Sequence, residues 1–204
     1  MVAVAGLVGL CATVVGGLLF WLAGPVAGAL LGGVLIAPAL WWLTRGWGLR
    51  AVLAAAQPEE VGAERREERL LRMGGLQGFL ILKLICVGLL VHAGAVLWFL
   101  VTWLIVGAVF AEEMNAAVGS RNGVAVAAPR HWLVVAIAGA LAGGLMGQFM
   151  SVLLLVVLAW LALPMARRQL LARIDLRGMP FTWLLAEVAE TAILLLATLL
   201  TFAR

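Results

Sequence analysis

Residues 2–43 read VAVAGLVGLCATVVGGLLFWLAGPVAGALLGGVLIAPALWWL, a run without one charged side chain. The hydrocarbon core of a bilayer takes ~20 residues of helix, so this stretch is long enough to cross twice. Gly24-Pro25 punctuates it and predicts a tight hairpin between a segment at about 2–22 and another at about 25–43.

Three further apolar segments follow, at about 76–110, 132–163 and 181–203. Over the whole chain, AVILMFWYC residues make up 65% of 204 positions and 24 glycines come on top. Charged residues are only 12%, about half the usual share for a soluble domain. A water-soluble fold of this size could not hide so much apolar surface. The expectation is an all-α, polytopic integral membrane protein of about five transmembrane helices. Segments three and four are overlong, because 33 residues of helix reach ~50 Å. They must tilt, project or break, and Gly143-Gly144 is a candidate break in the fourth.

Charge sets the expected orientation, since cytoplasmic loops accumulate arginine. Loop 45–75 holds Arg45, Arg50, Arg65, Arg66, Arg69 and Arg72, and loop 165–179 holds Arg167, Arg168, Arg173 and Arg177. Loop 111–131 holds only Arg121 and Arg130, beside Glu112 and Glu113. The first two loops are therefore expected inside and the third outside, with the N-terminus cytoplasmic and the C-terminus external. Trp41, Trp42, Trp47, Trp160 and Trp183 then fall near the inner boundary, and Trp21, Trp103 and Trp132 near the outer one, as aromatic belts do. The first segment lacks the basic leader of a signal peptide and reads as a retained span. These features suggest a bacterial inner membrane. The domain organisation expected is a hairpin over 1–44, a charged cytoplasmic loop over 45–75 and a three-span bundle over 76–204.

The loop 45–75 carries its own helix signal. Pro58 suits a first helical position, Glu59 and Glu60 complement the N-terminal dipole, and Gly74-Gly75 can cap the far end. Glu60, Glu64, Arg65, Glu68, Arg69 and Arg72 charge almost every face, so this helix should stand in water. It is either a solvated connector or a docking surface for a cytoplasmic partner.

Small residues recur at four-residue spacing: Ala5, Gly9, Thr13 and Gly17; Gly24, Gly28 and Gly32; Gly139, Gly143, Gly147 and Ser151. Lipid tails give helices no hydrophobic reason to associate, so close approach along such faces supplies the packing energy. The contacts could lie within one chain or between subunits.

The sharpest chemistry is in the last span. Glu187 and Glu190 lie seven and ten residues beyond Pro180, hence ~10 and ~15 Å along a helix. A central acidic residue costs ~2.5–3.5 kcal/mol to insert, so it usually faces protein or water. Lys83 lies about as deep in its own span as Glu187 does, and an ion pair is expected. His92 and Gln148 fall nearer the middle, within reach of Glu190 on a five-span reading. The five residues form either a proton or cation relay, or a set of interhelical hydrogen bonds or pairs to a neighbouring subunit.

Other chemistries find little support. The basic loops carry no aromatic stacking platform for nucleic acid. Cys11 and Cys86 sit in apolar runs and behave as small hydrophobes. His92 and His131 give no metal-ligand spacing, no phosphate-binding loop exists, and Ser120 has no base nearer than His131. No enzyme activity, metal or cofactor is expected. The favoured reading is an accessory integral membrane subunit of a transport, secretion or energy-coupling assembly. The alternative is a self-sufficient proton- or cation-coupled transporter or channel using the acidic residues of the last span.

Overall fold

The computed structural model describes residues 2–43, 50–52, 66–122, 130–173 and 179–203. The chain is an all-α polytopic membrane protein. Its helices are α1 (Val2–Leu43), α2 (Arg66–His92), α3 (Leu97–Asn122), α4 (Arg130–Leu145), α5 (Phe149–Arg173) and α6 (Met179–Phe202). Four stretches are long and apolar enough to cross a bilayer: Val2–Leu40, Leu97–Asn115, Phe149–Leu171 and Met179–Phe202. Gln77–His92 and Arg130–Leu145 are apolar but shorter. Side chains exposed on α1 and α5, among them Leu7, Val14, Trp21, Leu30, Met150 and Leu161, are the kind hydrocarbon solvates.

α1 is two arms rather than one rod. Gly24 has φ 77° and ψ 175°, a conformation essentially closed to residues with a Cβ, and Pro25 opens the second arm with its φ already helical. The arms fold back so closely that a Cβ on Gly28 would lie 2.8 Å from the Leu19 carbonyl oxygen.

Both overlong segments are divided by a turn. α2 ends at a left-handed glycine, Gly94 (φ 67°), where Gly94 N–H donates to Val91 O (3.0 Å) and Ala95 N–H to Leu90 O (2.9 Å). The same pair of bonds closes α4: Gly147 (φ 65°) donates to Gly144 O (3.1 Å) and Gln148 to Gly143 O (2.7 Å). This glycine cap satisfies the carbonyls that a helix end would otherwise leave bare. The break in the fourth segment thus falls at 146–148, beyond Gly143-Gly144. Gly147 is a turn residue rather than part of a packing face.

The five apolar segments consequently give seven rods among the described residues, alternating in direction. Gly9 meets Trp103 and Gly16 meets Val96, so the first arm runs antiparallel to α3. Gly33 meets the Leu84 carbonyl, Gly88 that of Ala29, and His92 the Pro25 carbonyl, so the second arm runs antiparallel to α2. Gly139 and Gly143 both face Val152, and Gly139 also Val156, making α4 and α5 a hairpin. α6 packs against α2, α3 and α5 and carries the most polar part of the core.

This alternation corrects the expected side of segment 111–131. Glu113 Oε1 lies 3.2 Å from Arg167 Nε, and the Trp132 indole donates to Glu112 Oε2 at 2.6 Å. Phe110 stacks edge-on against Trp183 with centroids 4.5 Å apart. The end of α3 and the start of α4 therefore share one end of the bundle with Arg167, and Trp132 belongs to that end too. The added turn in segment three reverses the chain once more than a five-span count allows. The opposite end holds the turns at 24–25, 93–96 and 146–148, none of which carries a charge, together with the last turn of α6.

The charged helix also differs from expectation. α2 runs unbroken from Arg66 to His92, through Gly74-Gly75. Ending it there would expose unpaired backbone groups at both new termini, whereas a helical glycine costs only ~1 kcal/mol. The boundary expected at residue 75 thus lies inside one helix.

Candidate functional site

A membrane helix holds a charge only where protein surrounds it, and the core between α2, α3 and α6 holds three. Lys83 is fully buried on α2, while Glu187 and Glu190 are 7% and 3% exposed on α6. The Lys83 ammonium donates to Glu187 Oε1 at 2.5 Å and to Glu190 Oε2 at 2.8 Å. Residues 187 and 190 are three apart, so both carboxylates project from one face of α6 toward the same point. The ammonium does not snorkel to the membrane surface.

The two carboxylates are not equivalent. Glu190 shares its one cation with Glu187, and its Oε1 is buried without a hydrogen-bond partner. A carboxylate oxygen in that state forfeits its hydration with nothing in return, whereas a proton on it removes the uncompensated charge.

Threonines extend the polar face. Thr191, Thr198 and Thr201 each turn back on their own helix, donating to Glu187 O, Leu194 O and Ala197 O at 3.1, 2.8 and 2.8 Å. The Thr198 hydroxyl also meets the Cys86 thiol of α2. α6 is therefore seamed to α2 by polar contacts from Glu187 to Thr198.

His92 and Gln148 are not brought to this site. His92 is exposed at the uncharged end, where its Nδ1–H donates to Pro25 O at 3.2 Å. It is nine residues beyond Lys83, ~13 Å along the helix. Gln148 lies in the turn between α4 and α5. Continuous helices would set both near mid-membrane, and the glycine turns set them instead at one end of the bundle, where Gln148 is half-buried.

The glycine faces pack within the chain. Cβ atoms on Gly9, Gly28, Gly32 and Gly143 would come within 2.8–3.0 Å of a neighbouring helix, and one on Gly139 within 3.3 Å. Gly17 is looser, 3.9 Å from Val96, Ser151 is half-buried, and Gly24 makes a turn. Gly33, Gly88 and Gly107 make equally close approaches. Their partners lie on helices whose register only the fold fixes. Of the docking residues, Glu60, Glu64 and Arg65 lie outside the described residues, as do the side chains of Glu68, Arg69 and Arg72.

A second feature is a cleft of about 200 Å³ between α5 and α6, floored by Ile105 and Val109 of α3. Ala159, Ala162, Ala189 and Ala192 share its walls with larger aliphatic side chains such as Leu155, Leu158 and Leu196. Among the described residues no cluster of three or more His, Cys, Asp or Glu could hold a metal ion.

Fold and site together define a polytopic helical membrane protein with a buried, ion-paired core. No known family, curated protein or solved structure matches the chain.

Proposed function

We propose that the chain is a small proton-coupled transporter in which Glu190 takes up and releases the proton. Lys83 and Glu187 are its counter-charges. One observation carries this reading: Glu190 is buried in the membrane core, shares a single ammonium with a second carboxylate, and leaves Oε1 unpartnered. Ionisable groups at such depth are expensive to insert and mark proton or ion pathways by default. The ammonium already fills the space between the carboxylates, which favours a proton over a metal cation. Because the arginine-rich segments 45–75 and 165–179 join helices at one end, we assign that end to the cytoplasm by the positive-inside rule, with N-terminus inside and C-terminus outside a bacterial inner membrane.

The test is proton flux into proteoliposomes driven by a potassium diffusion potential and followed with an internal pH dye. Flux above that of empty liposomes is expected, and Glu190→Gln should abolish it while circular dichroism keeps the helical signal. No flux in the unsubstituted protein, or equal flux in the variant, overturns the proposal.

The accessory-subunit reading retains one observation in its favour, the apolar cleft between α5 and α6, which suits a helix of a partner. A stoichiometric chain copurifying in mild detergent would bring it forward. Recovery as a lone species would set it aside.

A further inference from the structure

Two buried donors on α3 complement the open carboxylate oxygen. Trp98 and Thr102 are both fully buried, and neither Trp98 Nε1 nor Thr102 Oγ1 has a hydrogen-bond partner. They sit four residues apart, one turn along one face of the helix. Thr102 breaks a pattern: Thr13, Thr191, Thr198 and Thr201 all place the hydroxyl on a carbonyl of their own preceding turn, and Thr102 does not. Its hydroxyl is buried and makes no bond to the preceding turn.

The depths match. Phe110 of α3 stacks on Trp183 of α6, and the two helices run antiparallel. Eight residues from each, ~12 Å toward the uncharged end, Thr102 comes level with Thr191, next to Glu190. Trp98 is one turn further, and ~6 Å beyond it is the turn at Gly94. By depth, Glu190, Thr102 and Trp98 thus follow one another from the triad toward the uncharged end. In the other direction residues 103–111 of α3 are all apolar, and Phe110 and Trp183 stack across the contact between α3 and α6.

Buried polar atoms without protein partners are normally met by ordered water, and a water needs two to four such partners. We infer that an internal water file runs past Thr102 and Trp98 and gives Glu190 its proton access from the uncharged end of the bundle, and not from the arginine end. Glu190 Oε1–H passes its proton to the first water, which passes one of its own to the next. Each water finishes with the two hydrogens it began with, and the last proton leaves to bulk solvent. Trp98, a donor only, orients the outermost water by its oxygen. The route rests on the reading that Glu190 holds a proton.

Infrared spectroscopy of the full chain in lipid nanodiscs tests it, by timing the deuterium shift of the protonated-carboxyl band after transfer to heavy water. The band should be present in the unsubstituted protein and vanish in Glu190→Gln. Thr102→Val, which preserves shape, and Trp98→Phe should each keep the band and slow its exchange roughly tenfold, the rate equivalent of one lost hydrogen bond. Thr102→Ser should restore the rate, and Phe110→Leu should leave it unchanged. An absent band overturns the proton on Glu190 and the route with it. A band that exchanges at the original rate in both Thr102→Val and Trp98→Phe overturns the route alone. Acceleration by Phe110→Leu moves access to the arginine end and likewise overturns it.

Discussion

Replacing Glu190 by glutamine separates a protonated carboxyl from an ionised one, because the two states predict opposite costs. At 2.8 Å from Lys83, an ionised Glu190 would gain about 6 kcal/mol of attraction at an effective dielectric near 20. Glutamine would then break a buried ion pair, for about 3–5 kcal/mol of lost stability. If Glu190 instead carries a proton, glutamine imitates it in shape and charge. In that case the unsubstituted protein itself bears a cost, since the folded state holds a proton that the unfolded state releases. About 2.7 pH units separate neutrality from the ordinary glutamate value, so that cost is roughly 4 kcal/mol at pH 7. Glu190→Gln removes it and should match or exceed the parent in stability. The sign with pH follows: the folded parent binds the extra proton, so its stability falls as pH rises. Relative to the variant it should lose about 1.4 kcal/mol per pH unit, or about 3 kcal/mol between pH 5 and 7. Equilibrium unfolding in mixed detergent at pH 5, 6 and 7, read by the fluorescence of the nine tryptophans, measures the difference. A variant less stable by 3 kcal/mol or more at pH 7, with a gap that does not change with pH, would refute the reasoning.

Other expectations concern packing and topology. A Cβ on Gly9 would lie 2.8 Å from Trp103 Cβ and 3.0 Å from backbone atoms of Leu100 and Phe99, so Gly9→Ala should cost about 1–3 kcal/mol of stability. Gly144→Ala is the control: nothing lies within 4 Å of its Cβ position, and helix propensity predicts a gain of up to about 1 kcal/mol in the same unfolding assay. Gly94→Ala and Gly147→Ala each force a side chain into the left-handed region and should cost about 1–2 kcal/mol, visible as a lowered thermal midpoint in detergent. Single cysteines replacing Arg130 and Arg167, introduced with Cys11 and Cys86 changed to alanine, should both react with an impermeant maleimide from the same face of sealed vesicles. Reaction from opposite faces would contradict the placement of Glu113 beside Arg167.

Much of the architecture is legible in the residues because lipid imposes its own code. The uncharged run at 2–43, with Gly24-Pro25 at its midpoint, forms the predicted hairpin of two arms. Lys83 and Glu187, matched only by depth from the ends of their segments, are in contact. The two later turns were hidden by the physics that makes them work. A water-exposed turn announces itself by polar residues, but Ala93–Val96 is wholly apolar, and each of the two turns closes its backbone carbonyls through one left-handed glycine. Among 24 glycines, those two carry no distinguishing mark beyond the bonds they make. Missing a turn then inverts everything downstream of it. For that reason segment 111–131, Trp132, His92 and Gln148 were assigned depths or sides that the helix directions do not support. Thr102 and Trp98 escaped notice as well, because an unpaired hydroxyl or indole is a property of the packed core and leaves no trace in spacing.

The uncharged end also bears on how the chain enters its membrane. Each of its three connections is a short bend of uncharged residues, while the arginines of the loops remain at the other end. During biogenesis, a paired insertion therefore carries no hydrated loop across the hydrocarbon. Each helical hairpin can partition as a unit, its leading bend already bonded to itself. The costliest passenger is Lys83, whose counter-charges Glu187 and Glu190 are made 104 and 107 residues later. Until α6 is made, that lysine has neither Glu187 nor Glu190 to meet it, and α2 is the crossing whose commitment to the bilayer waits on α6.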